Sequence, residues 1–337
     1  MEAVFAYGTL QRGERNHPLV AGLVRGVLPG HVEGFALYHL LPGRGRPYAY
    51  PAMVPGEGRV YGEVLLLPRE ALPLLDRLEE EGVEYRRARV RVATGEGVLE
   101  AWAYLYLGDP REGLPLPQGA WRDGGGYPAP TPIYHLTHAD NLRGILVEGG
   151  LRPKAQAPPT VQSVAYPHIQ ARRAGIKVPL PPGGTLHEYV PFYFCPRPPM
   201  LYALAHPRPS ELPYQGGQRP ILHLVSSVQR VARADLRFVF TDRHATVRYA
   251  AFLGRLEDLA RLDWGTIGAR NWANTKELPD RKERKQAEFL VHGLFPWELV
   301  EEIAVMDPGV AAEVRKILQA FPRAPHPPVR VRREWYY

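Results

Sequence analysis

Cysteine is almost absent from the 337-residue sequence, which contains only Cys195. A single cysteine excludes a disulfide within the chain and a zinc site built from several cysteines. Cys195 lies in the aromatic stretch VPFYFCPRP, where we expect a buried and unreactive thiol. The sequence therefore does not belong to the disulfide-stapled or multi-cysteine metal-binding classes.

Long apolar runs are also missing. No stretch approaches the roughly 18–20 apolar residues needed to cross a bilayer. The N-terminal MEAVFAYGTL has neither the basic start nor the apolar core of a signal peptide. We therefore expect a cytoplasmic protein without a membrane partner.

The charge of the chain is unevenly distributed. The formal net charge is +7, yet residues 1–129 carry a net charge of −2 and residues 130–337 a net charge of +9. A basic half of this kind indicates a polyanionic partner, and nucleic acid is the first candidate. At roughly 100–200 residues per domain, the length predicts two domains.

A stretch rich in proline and glycine divides the sequence. The residues GDPREGLPLPQGAWRDGGGYPAP, 108–130, show no hydrophobic period and predict a linker between domains at residues 1–107 and 131–337. Before this stretch, alternation predicts strands over 4–10, 58–67, 85–94 and 98–107, and a helix over 68–82. After it, we predict helices over 137–150 and 311–321, and strands over 133–138, 220–228, 238–242, 287–293 and 301–307. The irregular alternation predicts an α+β fold.

A lone carboxylate follows a run of cations near the end of the chain. In RKERKQAEFLVHGLFPW, residues 281–297, Glu288 opens an apolar strand. Composition alone favours a glutamate at the rim of the fold that pairs with Arg284 or Lys285. The motifs elsewhere in this half favour catalysis instead.

Four motifs carry a resemblance to a known family. They are IYHLTHADNLRGIL (133–146), HEYVPFYFCPRPPMLYAL (187–204), FVFTDRHA (238–245) and RKQAEFLVHGLFPW (284–297). In this order they resemble the DNA ADP-ribosyltransferases called DarT, from about residue 131 to residue 337. The resemblance implies the ADP-ribosyltransferase fold, a split β-sheet core around a central cleft for NAD.

The resemblance also implies a function. DarT enzymes modify thymidine in single-stranded DNA with ADP-ribose from NAD and release nicotinamide. The family further implies the toxin of a toxin–antitoxin pair, with a DarG-type macrodomain antitoxin as the partner.

The resemblance assigns the catalytic roles to two residues. Glu288 would be the catalytic carboxylate, because a carboxylate at the ribose hydroxyls stabilises the positive charge that builds on the sugar. Arg173 would contact the NAD phosphates and assist attack, with Arg172 as the neighbouring alternative. Both arginines are expected in an irregular loop within residues 166–184.

Further NAD contacts follow from the first motif. His135, neutral and donating to a ribose hydroxyl, would hold the far ribose, and Leu136 and Thr137 would contact the nicotinamide end. Gly144, inside a predicted helix, is explained either by close approach of the cofactor or another element, or by ordinary tolerance of glycine. Metal binding by His135 and His138 is the rival interpretation, but the H-x-x-H pair lacks further ligands nearby, and we expect no metal.

A basic segment precedes Glu288. The residues NWANTKELPDRKERK, 271–285, occupy the place of the substrate-selecting loop in the family. The cations predicted to follow a phosphate backbone are Arg281, Lys282, Arg284 and Lys285. Trp272 is predicted to stack on a base. The alternative is a solvated helical face with Asp280 and Glu283 as partners.

The front half resembles a different family. FAYGTL (5–10), VYGEVLLL (60–67) and LLDRLEEEGVEYRRARVRV (74–92) resemble the gamma-glutamylcyclotransferase-like proteins over about residues 3–107. The fold implied is a small β-barrel with helices around a cavity. The residues of the implied pocket are Tyr7, Gly8, Thr9, Leu10 and Glu79. Glu79 would move the proton, although Glu80 and Glu81 crowd it and a one-position error is open.

The role of the front half remains open at this point. It is an independent gamma-glutamylamine cyclotransferase, a cis-acting control of a toxic neighbour, or a binding module with vestigial residues. A non-catalytic nucleic-acid-binding regulator is the rival interpretation for the whole chain.

Overall fold

The computed structural model describes residues 1–42, 46, 48–124, 127–158, 162–208 and 212–337. These residues form two compact units, residues 1–131 and residues 132–337. Within the described residues, no helix is both long and apolar enough to cross a bilayer.

A closed barrel forms the first unit. Its strands are β1 (Glu2–Ala6), β2 (Gly26–Leu40), β3 (Tyr50–Leu67), β4 (Tyr85–Thr94), β5 (Gly97–Tyr106) and β6 (Leu114–Pro115). Its helices are α1 (Pro18–Ala21) and α2 (Leu72–Leu78). The sheet order is β3-β1-β5-β4-β2-β6, and pairing of β3 with β2 closes the ring. The predicted small barrel is thereby confirmed.

Alternation along the strands builds two cores in this unit. Val4 and Ala6 of β1 enter one apolar cluster, which also contains Leu72 and Leu75 of α2. Phe5, between them, enters a second cluster, because successive side chains of a strand point to opposite faces. The predicted strand over residues 4–10 ends early, at Ala6, and the next four residues form a loop.

The segment predicted as a linker is largely part of the first unit. Strand β6 pairs with β2 at Tyr38 and His39, and Trp121 is buried in the second cluster. The indole Nε1 of Trp121 donates to His39 Nδ1 at 2.8 Å. The structure thus differs from the predicted linker, because a proline-rich segment can pack in an extended form against a barrel as well as connect two domains. Gly125 and Gly126 of the predicted linker lie outside the described residues.

The second unit is built on one long sheet with helices around it. Its strands are β7 (Pro132–His138), β8 (Gly150–Leu151), β9 (Tyr189–Tyr193), β10 (Ile221–Ser227), β11 (Phe238–Thr241), β12 (Phe252–Leu253), β13 (Glu288–His292), β14 (Phe295–Pro296), β15 (Glu302–Val305) and β16 (Val329–Val331). Its helices are α3 (Leu142–Val147), α4 (Pro167–Gly175), α5 (Pro199–Ala205), α6 (Val228–Arg233), α7 (Trp264–Gly268), α8 (Arg281–Arg284) and α9 (Pro308–Gln319). The order of the sheet is β12-β11-β13-β9-β7-β10-β15-β16, with β8 and β14 in a separate ribbon.

The sheet is nearly divided at its centre. Strands β7 and β9 are registered through a single pair, Tyr134 opposite Tyr193, whereas β7 and β10 are paired over seven residues. This weak seam gives the split core that the resemblance implied, and the α+β class is confirmed. Glu288 also lies opposite Tyr193, so β13 brings the carboxylate to the seam.

Candidate functional site

Glu288 is buried at the seam of the sheet. Its exposed fraction is 2 %, although it is the first residue of β13. Arg173 Nη1 donates to both carboxylate oxygens, at 3.1 and 2.8 Å, and the amide of Ala245 donates to Oε1 at 2.9 Å. The alternative of a rim glutamate paired with Arg284 or Lys285 is therefore wrong.

The charge of this carboxylate is maintained by its neighbours. Burial by itself raises the pKa of Glu288, but Arg173, with His244 and the Ala245 amide, outweighs burial and lowers the pKa below its usual value. Glu288 is therefore ionised at neutral pH. A buried, fixed negative charge is what a developing cationic sugar requires.

Arg173 lies on a helix rather than in an irregular loop. Helix α4 spans Pro167–Gly175 and begins with a proline at its first position, which suits an N-terminus because proline lacks the N–H that would be unpaired there. Arg173 faces inward and is 6 % exposed. Its neighbour Arg172 is exposed and donates to the Thr246 carbonyl at 3.0 Å. Of the two arginines, Arg173 is the one in contact with Glu288.

One nitrogen of Arg173 is unused. Its Nη2 is buried and has no hydrogen-bond partner among the described residues. An unpaired buried guanidinium nitrogen is costly unless a ligand satisfies it. A phosphate oxygen of NAD fits this donor, since arginine binds phosphate through parallel N–H groups.

His135 of β7 forms a hydrogen bond to the backbone of β9, across the seam of the sheet. Its Nδ1 lies 2.8 Å from the Pro191 carbonyl, and since a carbonyl only accepts, Nδ1 carries the proton. Burial lowers the pKa of His135, so the ring is neutral and presents Nε2 as an acceptor. The structure thus differs from the predicted donor role, because the one proton of the neutral ring is used by the backbone.

The other predicted NAD-contacting residues of the first motif differ from one another in burial. Leu136 and Thr137 are buried, and Thr137 Oγ1 accepts from Asn141 Nδ2 at 3.2 Å. Gly144 is exposed on α3, and a methyl group there would meet nothing within 4 Å. No other described part of the chain therefore requires a glycine at this position.

The first unit contains a cavity of about 180 Å³. The predicted pocket residues Tyr7, Gly8, Thr9, Leu10 and Glu79 all line it. A side chain at position 8 would lie 2.4 Å from the Pro51 ring, so the loop after β1 needs a glycine there.

The carboxyl group of Glu79 has a raised pKa in this cavity. Burial, and then the nearby Glu84, raise its pKa to about 7. Glu84 itself accepts from Tyr50 at 2.6 Å. A carboxyl group that gains and loses its proton near neutral pH suits general acid–base chemistry.

Comparison with known proteins identifies the second unit. Residues 134–337 match the family described as ssDNA thymidine ADP-ribosyltransferase, DarT. The chain belongs to the DarT family. Residues 4–123 match the family described as gamma-glutamyl cyclotransferase, AIG2-like, so both resemblances are confirmed.

We call residues 132–337 the DarT unit, because the family model matches residues 134–337. A DNA ADP-ribosyl transferase of Thermus aquaticus is 61% identical over 211 residues, which are 63% of this chain and 91% of the relative. One from Mycobacterium tuberculosis is 32% identical over 189 residues, 55% of this chain and 81% of the relative.

Two solved structures are similar as well. One is Thermus sp. 2.9 DarT in complex with ADP-ribosylated ssDNA, at a TM-score of 0.60 and 58% identity, covering 63% of this chain and 98% of that chain. The other is Thermus sp. 2.9 DarT in complex with NAD+, at a TM-score of 0.57 and 55% identity, covering 63% of this chain and 100% of that chain.

The DarT unit contains further contacts to Glu288 that the sequence patterns did not single out. His244 Nε2 lies 3.9 Å from Glu288 Oε1, and its Nδ1 lies 2.7 Å from Thr246 Oγ1. Burial lowers the pKa of His244. A contact made by a backbone amide, such as that of Ala245, cannot be predicted from residue type. His244 lies in the FVFTDRHA motif, and this motif is the sequence feature that could have identified it as a site residue.

The predicted DNA-binding cations of the DarT unit fall into different environments. Lys282 is exposed and Arg281 is half-buried. Arg284 pairs with Asp280 at 3.0 Å and Asp263 at 3.4 Å. The exposed lysine therefore remains the most accessible member of the set.

Lys285 does not fit its predicted role. It is buried, and its Nζ donates to the carbonyls of Ile267 at 2.5 Å and Ala269 at 2.8 Å. This ammonium satisfies carbonyls at the C-terminal end of α7. The prediction that Lys285 follows a phosphate backbone is contradicted, because Lys285, the residue after helix α8, points its side chain inward to these carbonyls.

Trp272 is also engaged within the unit. Its Nε1 donates to the Tyr337 hydroxyl at 2.9 Å, and its half-buried ring lies edge-on to Tyr202, with centroids 5.5 Å apart. Base stacking by Trp272 stays a prediction. Among the described residues there is no cluster of three or more histidine, cysteine, aspartate or glutamate side chains that could hold a metal.

Proposed function

We propose that the DarT unit transfers ADP-ribose from NAD to thymidine in single-stranded DNA and releases nicotinamide. The observation that carries the proposal is the buried, ionised Glu288, fixed at the seam of the sheet by Arg173 and the Ala245 amide. The family match and the ligands named for the Thermus sp. 2.9 structures support the same reaction.

The reaction exchanges one glycosidic bond for another. The bond between the ribose C1′ and nicotinamide breaks, its electron pair leaves with nicotinamide, and C1′ forms a bond to the thymine, which releases its proton to solvent. Glu288 accepts a hydrogen bond from the ribose and stabilises the positive charge on the sugar. Arg173 Nη2 supplies the donor for a phosphate, and His135 Nε2 accepts from the far ribose.

The substrate must be single-stranded for a physical reason. The base edge of a paired thymine is used by its partner, and extrusion from a duplex costs a few kcal/mol. The excess of basic residues in this half favours a polyanion, and such binding weakens with salt.

The test measures mass gain on short single strands and nicotinamide release with NAD. Wild-type protein should modify strands that contain thymidine. Glu288→Gln should lose activity by at least about 10²-fold, because the carboxamide keeps the shape and removes the charge. Glu302→Gln is the matched control, since Glu302 is also a buried glutamate paired with an arginine, Arg332, in the same sheet.

Two outcomes would count against the proposal. An active Glu288→Gln variant would remove Glu288 from the chemistry. Tight binding of DNA without nicotinamide release would instead indicate a non-catalytic regulator.

We also propose that the chain is a toxin whose mark a DarG-type macrodomain antitoxin removes. The family assignment supports this partner, and we expect the pair to act in the cytoplasm. Incubation of the modified strand with such a macrodomain should return the strand to its original mass. A strand that keeps its added mass would argue against the pairing.

A second activity, gamma-glutamyl cyclotransfer, is favoured by the cavity of the first unit. Glu79, with its pKa near 7, would take a proton from the substrate α-amino group and deliver it to the leaving amine as the 5-oxoproline ring closes. Glu79→Gln should abolish release of 5-oxoproline from gamma-glutamylamines. Glu81→Gln, at an exposed position outside the cavity lining, should leave it unchanged. Without any release by the wild type, the control and binding-module roles would remain.

A further inference from the structure

Tyr249 presents an aromatic ring to solvent beside the reaction centre. It lies in the loop between β11 and β12, and 61% of its surface is exposed. Large aromatic side chains in solvent are frequent at binding surfaces, since the ring is apolar and rigid. Tyr249 has no role in the proposed ADP-ribose transfer.

The ring is fixed rather than free. Its hydroxyl donates to Glu283 Oε2 at 2.6 Å. The Arg243 guanidinium lies 4.8 Å from the ring centroid and is itself held by Asp242 and Asp280, each at 2.9 Å. A ring oriented in advance loses little entropy when a planar ligand stacks on it.

The loop that carries Tyr249 also contacts Glu288. The Ala245 amide of this loop donates to Glu288 Oε1, and the His244 amide donates to the Glu283 carbonyl at 2.9 Å. Strands β11 and β13 are antiparallel neighbours, so the end of β11 and the start of β13 lie at the same edge of the sheet. Tyr249 is thus on the rim of the site whose centre is Glu288.

The charges of this rim suit a phosphate backbone. Arg248, next to Tyr249, is exposed, and so are Arg172 and Lys282. The acidic side chains here already have partners: Asp242 and Asp280 pair with Arg243, and Glu283 accepts from the Tyr249 hydroxyl. An exposed aromatic ring among cations is the arrangement that binds single-stranded nucleic acid.

We propose that Tyr249 is a stacking site for the base of a nucleotide next to the target thymidine, with Arg248 at its phosphate. This inference rests on the proposed function and adds a specificity-determining subsite to it. Tyr249 and Arg248 bind the strand and take no part in breaking the nicotinamide bond.

The experiment measures binding of fluorescent single strands by anisotropy at fixed salt, with the full chain. Each strand has one thymidine, and a series replaces each flanking nucleotide with an abasic site. Tyr249→Ala should weaken binding by about 5- to 150-fold, the range for loss of one stacked base. Tyr249→Phe should bind within about threefold of wild type, because the ring remains.

The abasic series separates stacking from a structural role. At one flanking position, the abasic site should weaken wild-type binding and leave Tyr249→Ala binding unchanged. Arg248→Gln should reduce the slope of log affinity against log salt by about 0.7 on every strand. Tyr61→Ala is the matched control, since Tyr61 is 43% exposed, contacts Arg59 and lies in the barrel.

Two results with the variants would overturn the inference alone. One is an abasic profile that is the same for wild type and Tyr249→Ala, and the other is an equal loss of binding in Tyr61→Ala. If the wild type binds strands as described but transfers no ADP-ribose, the proposed function fails and the stacking site stands. A wild type that binds no single strand overturns both.

Discussion

At the scale of single residues, the pKa values of two carboxylates, the buried Glu288 and the half-buried Glu79, shift in opposite directions. Glu288 is kept ionised because Arg173 donates to both of its oxygens. Among the described residues no cation pairs with Glu79, and burial with Glu84 raises its pKa to about 7. Environment, rather than residue type, decides that one acts as a fixed charge and the other as a proton carrier.

Removal of Arg173 should leave Glu288 buried without its cation. We expect Arg173→Met to lower the free energy of unfolding by about 3–5 kcal/mol, the usual cost of breaking a buried ion pair from one side. The Arg173→Met, Glu288→Gln double variant should recover much of this loss, because no charge remains to be buried. Chemical denaturation of the three proteins measures both effects, and a double variant no more stable than Arg173→Met would contradict the ion-pair account.

The Arg173–Glu288 pair also makes the stability of the fold depend on pH. The pKa of folded Glu288 is depressed, so its contribution to stability is present above the unfolded pKa and is lost as pH falls through the folded pKa. In Arg173→Met we expect burial, the largest cause, to outweigh His244 and the Ala245 amide and to raise the pKa of Glu288, so stability should fall as pH rises through the unfolded pKa. Denaturation midpoints across acid pH should therefore slope in opposite directions in the two proteins, and parallel profiles would refute the assignment.

Glu84 should control the acidity of Glu79. We expect Glu84→Gln to lower the pKa of Glu79 from about 7, while burial, the larger cause, keeps it above its usual value. Carbon-13 NMR titration of the glutamate carboxyl groups measures the shift. Glu81→Gln, outside the cavity lining, serves as the control, and an unmoved Glu79 titration in Glu84→Gln would exclude the like-charge cause.

At the scale of elements, helix α8 and the residue after it separate structural from accessible cations. Lys285→Met leaves the carbonyls of Ile267 and Ala269 without their donor and should lower the free energy of unfolding by about 1.5–3 kcal/mol. Lys282→Met, on the exposed side, should leave stability unchanged and reduce the salt slope of DNA binding by about 0.7. Thermal melts and salt titrations of both variants give the comparison, and a changed salt slope in Lys285→Met would contradict its buried role.

Elements differ in how far the sequence predicts them. Strand β4, Tyr85–Thr94, is predicted to the residue because its alternation is regular. Strand β2 is missed because Pro29, Gly30 and Gly34 interrupt its pattern, and the barrel imposes the strand by pairing it with β3. Helix α4 is missed because its nine residues contain few apolar positions, and its buried residue is the charged Arg173.

The site shows the same limit. Glu288, Arg173 and His135 were predicted from motifs, and the structure brings the first two into contact. The Ala245 amide bond to Glu288 and the proton position of His135 depend on backbone atoms far away in the sequence, one in the loop after β11 and one in β9. Such contacts carry no side-chain signal, so only the folded structure reveals them.

At the scale of the whole molecule, the two units have separate cores. The DarT family model matches residues 134–337, and the Thermus aquaticus relative matches 63% of this chain over 91% of its own length. We expect residues 132–337, expressed separately, to fold and to retain NAD-dependent modification of single strands. Circular dichroism melts and the mass assay test this, and an unfolded or inactive fragment would show that the barrel is required.

The short outermost strands affect how readily copies of the protein associate at high concentration. Strand β12 has two residues, β16 has three and includes Arg330, and β6 has two and ends in a proline. Edges this short, or blocked by a charge or a proline, offer few free backbone groups to a strand from another molecule. In the native fold these outermost strands are therefore poor templates for the addition of a strand from another copy of the chain.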